Sequence, residues 1–470
     1  MGILARILGV VVLAVTLGSG RSAALADDAA PRPNIIFVML DDLDVPVTQP
    51  YYGEILPETM KLANTGVDFA NAFATTPVCC PSRAAFLSGK HGHNTNVLTN
   101  GGPRGGRWQF IDDEPESLPA LMYFHGYRTA IFGKYMNGFH KHGRRVPDLP
   151  YGWTDGSLFA NANLKPYKGY NYHLARWRGG RPVDATTWQA DDVRLVRYGD
   201  KDQDYSTDVV FDQVFEFIEQ AVRDTPGQPF FTMIQPTCPH FPLPPAPRHR
   251  AIATEKWGFD TFPKDRPNYF RSDEGDGAPD DKPLHLQHTW KKRMRMKDRG
   301  GKFLKWTGAE LPLDVKKAKV GWNELDWYNR MGSMYACDEG IAEMVRRLQA
   351  LGVWENTFVI VTSDNGYNFG AHALGLKMAP YDEAARIPFW VFGGEQLGLS
   401  GGIIEEAPIL NIDLAPTVLE AAGAEVPQDM DGRSLMPFLR GANETPVPWR
   451  EAVYFEYYGP GVAEGHFAKF

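Results

Sequence analysis

The chain has 470 residues, 43% of them hydrophobic and 23% charged, with 49 basic against 57 acidic side chains and a formal net charge of −8. That balance excludes a general nucleic-acid binder, which needs a basic surface, and the length is ample for a large buried core. Four cysteines in a chain of this size make no disulfide framework.

The first 26 residues read as a secretory signal peptide. Arg6 precedes an apolar run over 7–17, and Ala24-Leu25-Ala26 supplies the small residues that a signal peptidase recognises. The run is short for a bilayer span, and no other long apolar stretch follows. The expectation is an exported protein, secreted or periplasmic, without stable membrane insertion after cleavage.

Next comes NIIFVML, residues 34–40, a continuous apolar run of the kind buried in a parallel sheet. Similar runs recur at 127–133, 229–235, 358–362 and 387–392. Helical patterns lie between them at 206–222, 333–351 and 413–422, the last closed by Gly423. Strands alternating with helices predict an α/β fold with a large, mainly parallel sheet flanked by helices. Residues 140–200 and 243–320 read as long irregular excursions from that sheet, where binding loops usually lie.

Two strand ends carry polar clusters. Asp41-Asp42 follows the first run, and Ser363-Asp364-Asn365-Gly366 follows 358–362. Open α/β sheets bind ligands at such ends, and three carboxylates with one amide oxygen suit calcium or magnesium. Ordinary turn chemistry is the alternative for either segment alone.

The stretch PVCCPSRAAFLSGKHG, residues 77–92, sets Cys79 beside Cys80. Neighbouring Cα atoms are too close for these two to pair with each other. Pro81 suits a first helical position and Gly89 a helix end, which puts the cysteines at a positive helix terminus. A buried thiol pair is the structural alternative, and the spacing fits no zinc site.

Cys79-Cys80-Pro81-Ser82-Arg83, trailed by Leu87-Ser88-Gly89, resembles the sulfatase motif Cys-x-Pro-Ser-Arg with its Leu-Thr/Ser-Gly. The resemblance extends in order through Asn34–Asp42, Gly133-Lys134-Tyr135, Pro239-His240, Asp364-Asn365-Gly366, Lys377 and Asp413-Leu414-Ala415-Pro416-Thr417. It is strongest to N-acetylglucosamine-6-sulfatases, and it implies the alkaline phosphatase/sulfatase-like fold. It also implies that Cys79 is oxidised by a formylglycine-generating enzyme to formylglycine (3-oxoalanine), with Cys80 in a variable slot. By the same resemblance Arg83, Lys134, His240 and Lys377 join Cys79 as catalytic residues. Asp41, Asp42, Asp364 and Asn365, with position 79, hold the metal, expected to be Ca2+ with Mg2+ as the alternative. Asn137 stands where many sulfatases carry His and the glucosamine-type members carry Asn, which makes it a substrate-binding residue.

The resemblance assigns 27–440 to the catalytic domain. It makes 441–470 the start of a small C-terminal sheet subdomain that is expected to be truncated. The implied reaction is hydrolysis of a sulfate ester on a sulfated carbohydrate, of the N-acetylglucosamine 6-sulfate type. Rival readings are an arylsulfatase, a formylglycine-dependent phosphodiesterase or phosphonate monoester hydrolase, and an inactive carbohydrate-binding homologue. Trp153, Tyr167, Tyr170, Tyr172 and Trp177 offer faces for sugar rings, or else pack a loop core. His91 and His93 read as supporting or surface residues, with lining of the pocket as the alternative. The run over 291–305, with eight Lys/Arg against one Asp, reads as a solvated loop or as a steering patch for an anionic polymer.

Overall fold

The computed structural model describes residues 31–139, 148–160, 166–184, 186–258, 261, 322–369, 377, 381–399, 402–404, 407–441, 449–458 and 468–469. The leader and the basic run over 291–305 lie outside them. Ten strands form one sheet: Asn34–Leu40 (β1), Val67–Phe69 (β2), Arg128–Gly133 (β3), Asp155–Phe159 (β4), His173–Arg178 (β5), Asp192–Arg197 (β6), Phe230–Gln235 (β7), Thr357–Ser363 (β8), Phe389–Gly393 (β9) and Gly402–Ile404 (β10). Their order across the sheet is β10-β2-β9-β8-β1-β7-β3-β4-β5-β6. The block β8, β1, β7, β3 and β4 is parallel. Toward the edges, β9 runs antiparallel to β8 and β2, and β5 and β6 run antiparallel to their neighbours. The large, mainly parallel α/β sheet expected from the apolar runs is the one observed.

Four helices pack against the centre of this sheet: Cys79–Ser88 (α1), Ser206–Asp224 (α2), Trp322–Ala350 (α3) and Leu414–Ala421 (α4). Alternate residues of β1 serve opposite layers, as the two-residue period of a strand requires. Ile35, Phe37 and Met39 join a core with Ala84 and Phe86 of α1 and Leu414 and Val418 of α4. Ile36, Val38 and Leu40 join the other, with Val214 and Ile218 of α2 and Met334 and Ile341 of α3. Burial on both faces is why β1 is apolar at every position but its first, Asn34.

Three expectations need correction. The 140–200 region is not simply an excursion, because it supplies β4, β5 and β6. β4 is short and interrupted by Asp, Gly and Ser, while β5 and β6 carry arginines and are partly exposed, so none shows a continuous apolar run. Helix α3 begins at Trp322 rather than 333, since its first turns bury polar Asp326, Asn329 and Arg330 and so hide the amphipathic period. Pro81 is the third residue of α1, not the first: Val78 is the N-cap, and both cysteines lie within the first turn. The helix does end at Gly89, whose φ of 68° is the left-handed geometry that glycine tolerates best.

Candidate active site

Parallel strands all present their carboxyl ends to the same edge, and four adjacent ones converge here. Asp41-Asp42 leaves β1, Asp364-Asn365 leaves β8, Lys134 leaves β3, and β7 leads through Gln235 to His240. Backbone bonds continue the ladder past the strands. The Asp364 N–H donates to Leu40 O at 3.0 Å, Asp41 N–H to Cys238 O at 2.9 Å, and Lys134 N–H to Gln235 O at 2.7 Å. Gly133 makes the last of these possible, because a Cβ there would meet Gln235 O at 2.1 Å. Helix α1 brings its first turn to the same edge, with Cys79 and Cys80 as free, buried thiols.

Three carboxylates and three cations interlock in this buried cluster. Lys134 Nζ lies 2.7 and 2.6 Å from the two oxygens of Asp41. Arg83 donates to Asp364 Oδ2 from Nε at 3.0 Å and from Nη2 at 2.9 Å. Its Nη1 donates to Lys134 O at 3.1 Å and also to the Gln235 amide oxygen. Lys377 Nζ sits 2.8 Å from Cys79 Sγ and donates to Asp42 Oδ1. Asp42 N–H donates to Asp364 Oδ1 at 3.0 Å, and Asn365 Nδ2 to Asp42 Oδ1 at 2.8 Å. His240 Nε2 stands 3.6 Å from Asp42 Oδ2. Its Nδ1–H donates to the Phe241 carbonyl, which fixes the ring.

The electrostatics follow from burial and pairing. Burial works to raise the Asp364 carboxyl, but Arg83 and Lys134 outweigh it and hold the group well below the usual carboxylate range. Asp42 is likewise lowered, with Lys377 and His240 overcoming desolvation. At Asp41 desolvation prevails over Lys134 and the carboxyl is raised. Burial also raises both thiols, Cys80 to about 12, with the Cys79 charge as the next cause. At Cys79 burial outweighs the lowering pull of Lys134 and Lys377, so the unmodified thiol is not favoured as a thiolate.

A candidate metal site brings part of the expected ligand set together, with His240 added and Asp364 outside the group. Asp41, Asp42, Cys79 and His240 offer ligand atoms that all lie within 4.8 Å of one another. Asn365 Oδ1 is buried with no hydrogen-bond partner, and an orphaned acceptor beside carboxylates suits a cation. Three carboxylates against three cations leave the cluster near neutral. A divalent ion would give it the net positive charge that an anionic substrate needs.

Cys79 opens onto a cavity of about 320 Å³ whose lining includes Asn100, Lys134, Asn137, Tyr167 and His240. Asn137 is exposed there, and its N–H donates to Cys80 Sγ at 3.2 Å. Cys80 N–H donates to Asn100 Oδ1 at 2.8 Å. Tyr167 packs over His240 with ring centroids 4.3 Å apart. Of the five aromatics singled out for sugar stacking, Trp153, Tyr172 and Trp177 are buried and do not line this cavity, while Tyr170 packs against Tyr205. His91 and His93 do not line the cavity; they stack on each other beside Tyr454. Sequence reasoning missed Asn100 and Gln235. Gln235 was visible as the polar end of an apolar run, whereas Asn100 sits in a loop with no local signal.

The sulfatase family model matches residues 33–424. An N-acetylglucosamine-6-O-sulfatase of Bacteroides thetaiotaomicron is 28% identical over 460 residues, covering 91% of this chain and 74% of its own length. A solved structure of a protein in complex with its substrate D-glucosamine-2-N,6-O-disulfate superposes with a TM-score of 0.65 at 24% identity, covering 93% of this chain and 86% of that one. A phosphonate monoester hydrolase from Silicibacter pomeroyi gives 0.57 at 21% identity, covering 90% and 79%. Identities this low make both structures witnesses to the fold alone. The family match, running through most of the chain, decides the matter: the chain belongs to the sulfatase family, enzymes that hydrolyse sulfate esters.

Proposed function

We propose that the protein is an exported sulfatase that removes the 6-sulfate of an N-acetylglucosamine-type sugar, using formylglycine formed from Cys79 and a bound calcium ion. The observation that carries this reading is Cys79, at the first turn of α1, in contact with Lys377 and facing the cavity that Lys134 and His240 also line. The 6-O-sulfatase relative and the Asn at position 137 favour the glucosamine-type substrate. Export rests on the leader; among the described residues no helix is long and apolar enough to cross a membrane.

Asp41, Asp42, Asp364, Asn365 and position 79 would hold the ion, which would make a hydroxyl of the modified residue easier to deprotonate and so a better nucleophile. The residues around it orient the sulfate and hold its charge. Lys134 and Lys377 bracket the space next to Cys79 and stabilise charge on the sulfuryl oxygens, usually the largest catalytic term. Arg83 keeps Asp364 ionised and ties it to Lys134 through the Lys134 carbonyl. Burial lowers the His240 pKa and Nδ1–H is committed to Phe241, so His240 acts as the acid on the leaving oxygen only through a proton taken up at Nε2. Asn137, exposed in the cavity, meets the sugar.

The test is sulfate release from glucosamine 6-sulfate, N-sulfated glucosamine, a 2-sulfated uronate and an aryl sulfate, alongside an aryl phosphodiester. Highest kcat/KM on glucosamine 6-sulfate is expected. Turnover confined to the aryl sulfate or the uronate would overturn the substrate, and preference for the phosphodiester the reaction class. Intact mass of the Cys79 peptide should be about 18 Da below that of cysteine.

A further inference from the structure

Asp42 adopts φ of 72°, the left-handed region that a non-glycine residue rarely occupies. Such a conformation persists only where its surroundings hold it. Its N–H is held by Asp364 Oδ1 at 3.0 Å. The carbonyl on its other side accepts from Arg330 Nη2. Arg330 lies in α3, far along the chain, and is 1% exposed.

The same guanidinium reaches all three site loops that face α3. Its Nη1 donates to Pro239 O at 3.3 Å, the residue before His240. Its flat face covers Tyr367 at 4.1 Å and Phe369 at 4.7 Å, both just beyond the Asp364-Asn365 turn. Asp44, after the Asp42 turn, lies 3.7 Å from Nη2. A disulfide, Cys238–Cys337, ties α3 to the His240 loop a second time.

We propose that Arg330 is a positioning residue for the reaction, one that locks the Asp42 turn and the His240 loop in a common register. A planar fork with several donors can bond two carbonyls while stacking on two rings, which a lysine cannot reproduce. Without it the Asp42 turn relaxes toward an ordinary backbone conformation, and both the carboxylate and the imidazole lose their aim. The inference rests on the assignment of Asp42 and His240 to the reacting site.

Arg330→Met and Arg330→Lys, each carrying formylglycine, test it by two readouts at a temperature where circular dichroism shows them folded. Calorimetric titration of calcium into the metal-stripped protein should show affinity about 10- to 100-fold weaker in Arg330→Met. Sulfate release at saturating calcium should show kcat down by about a hundredfold with KM little changed. Arg330→Lys, which keeps the charge but loses the planar fork, should fall between. Folded variants with wild-type calcium affinity and kcat would overturn the proposal, as would failure of both to fold, which would make Arg330 a matter of global stability. Asp42→Ala separates the two assumptions. If that variant is inactive while Arg330→Met behaves as wild type, only the role of Arg330 falls; if it retains calcium binding and turnover, the site assignment itself falls.

Discussion

β1 and β6 belong to one sheet and share almost nothing else. Every residue of β1 is buried; none of β6 is fully so. β1 has parallel neighbours on both sides, so its carboxyl end lies beside the carboxyl ends of β8 and β7, and polar groups from separate strands converge there. β6 is an antiparallel edge strand, and antiparallel neighbours send their ends in opposite directions, so no such convergence can occur. A cavity of about 360 Å³ lies over the edge block, similar in size to the one of about 320 Å³ at Cys79. Its arginines do not make it a site: Arg176 and Arg178 both pair with Glu216, and none of its lining residues is a cysteine, histidine or lysine. Topology, more than cavity size, decides where this protein does chemistry.

The comparison is broken most directly at Cys79. Cys79→Ala and Cys79→Ser should lower turnover by roughly 10⁴-fold or more, the scale of losing a nucleophile, without unfolding the protein. Cys80→Ala should keep substantial activity. Because the Asn137 N–H rests on Cys80 Sγ, its effect belongs in KM rather than kcat. An inactive Cys80→Ala beside an active Cys79→Ala would mean that the motif register is wrong.

Next in size is the metal. Chelation should abolish sulfate release and added calcium restore it, with magnesium as the comparison. Asp41→Ala should stay at least about a hundredfold down even with metal in excess, because it also strands Lys134, whose Nζ Asp41 holds with both oxygens. Full turnover in a demonstrably metal-free preparation would sink this assignment.

The edge block should answer in stability instead of turnover. The Trp177 indole lies over Gly156, where an added Cβ would stand 2.1 Å from the ring, and Nε1–H donates to Trp153 O at 3.0 Å. Trp177→Ala should therefore cost about 3–5 kcal/mol by equilibrium denaturation, while kcat at a temperature below unfolding stays within about twofold of wild type, as expected for a buried residue that does not line the Cys79 cavity. A selective loss of kcat would mean that this block reaches the site after all.

How much of this was legible follows the same divide. The bounds of β1 could be read directly, because burial on both faces writes itself as an unbroken apolar run, and the abrupt Asp41-Asp42 marks the strand end. α1 was readable from Gly89, though Pro81 misled by suggesting a later start. Lys377 has no local signal at all; only the family resemblance singles it out, and the fold then sets it beside Cys79. Tyr167 was one aromatic among five, and nothing in the sequence separates the one at the cavity from those in the core. The front of α3 was missed for a physical reason. A buried Arg330 or Asp326 breaks the apolar period on which helix reading depends, and such residues are buried only because partners from distant strands await them.

The smallest effect should come from the edge itself, and it sharpens the contrast between ion pairs. Arg83 and Asp364 are 1% and 0% exposed, whereas Arg194 and Asp192, at 2.7 Å, are 73% and 48% exposed. Withdrawing the buried pair from water is costly, so each member depends on the other. The exposed pair exchanges water for a partner at almost no net gain, and salt screens it further. Arg194→Ala should thus leave Tm within about 2 °C of wild type, and kcat and KM unchanged, with the small difference vanishing as salt is raised. A larger, salt-independent drop in Tm would show that the edge strand depends on that contact, and the distinction between the two ends of the sheet would have to be redrawn.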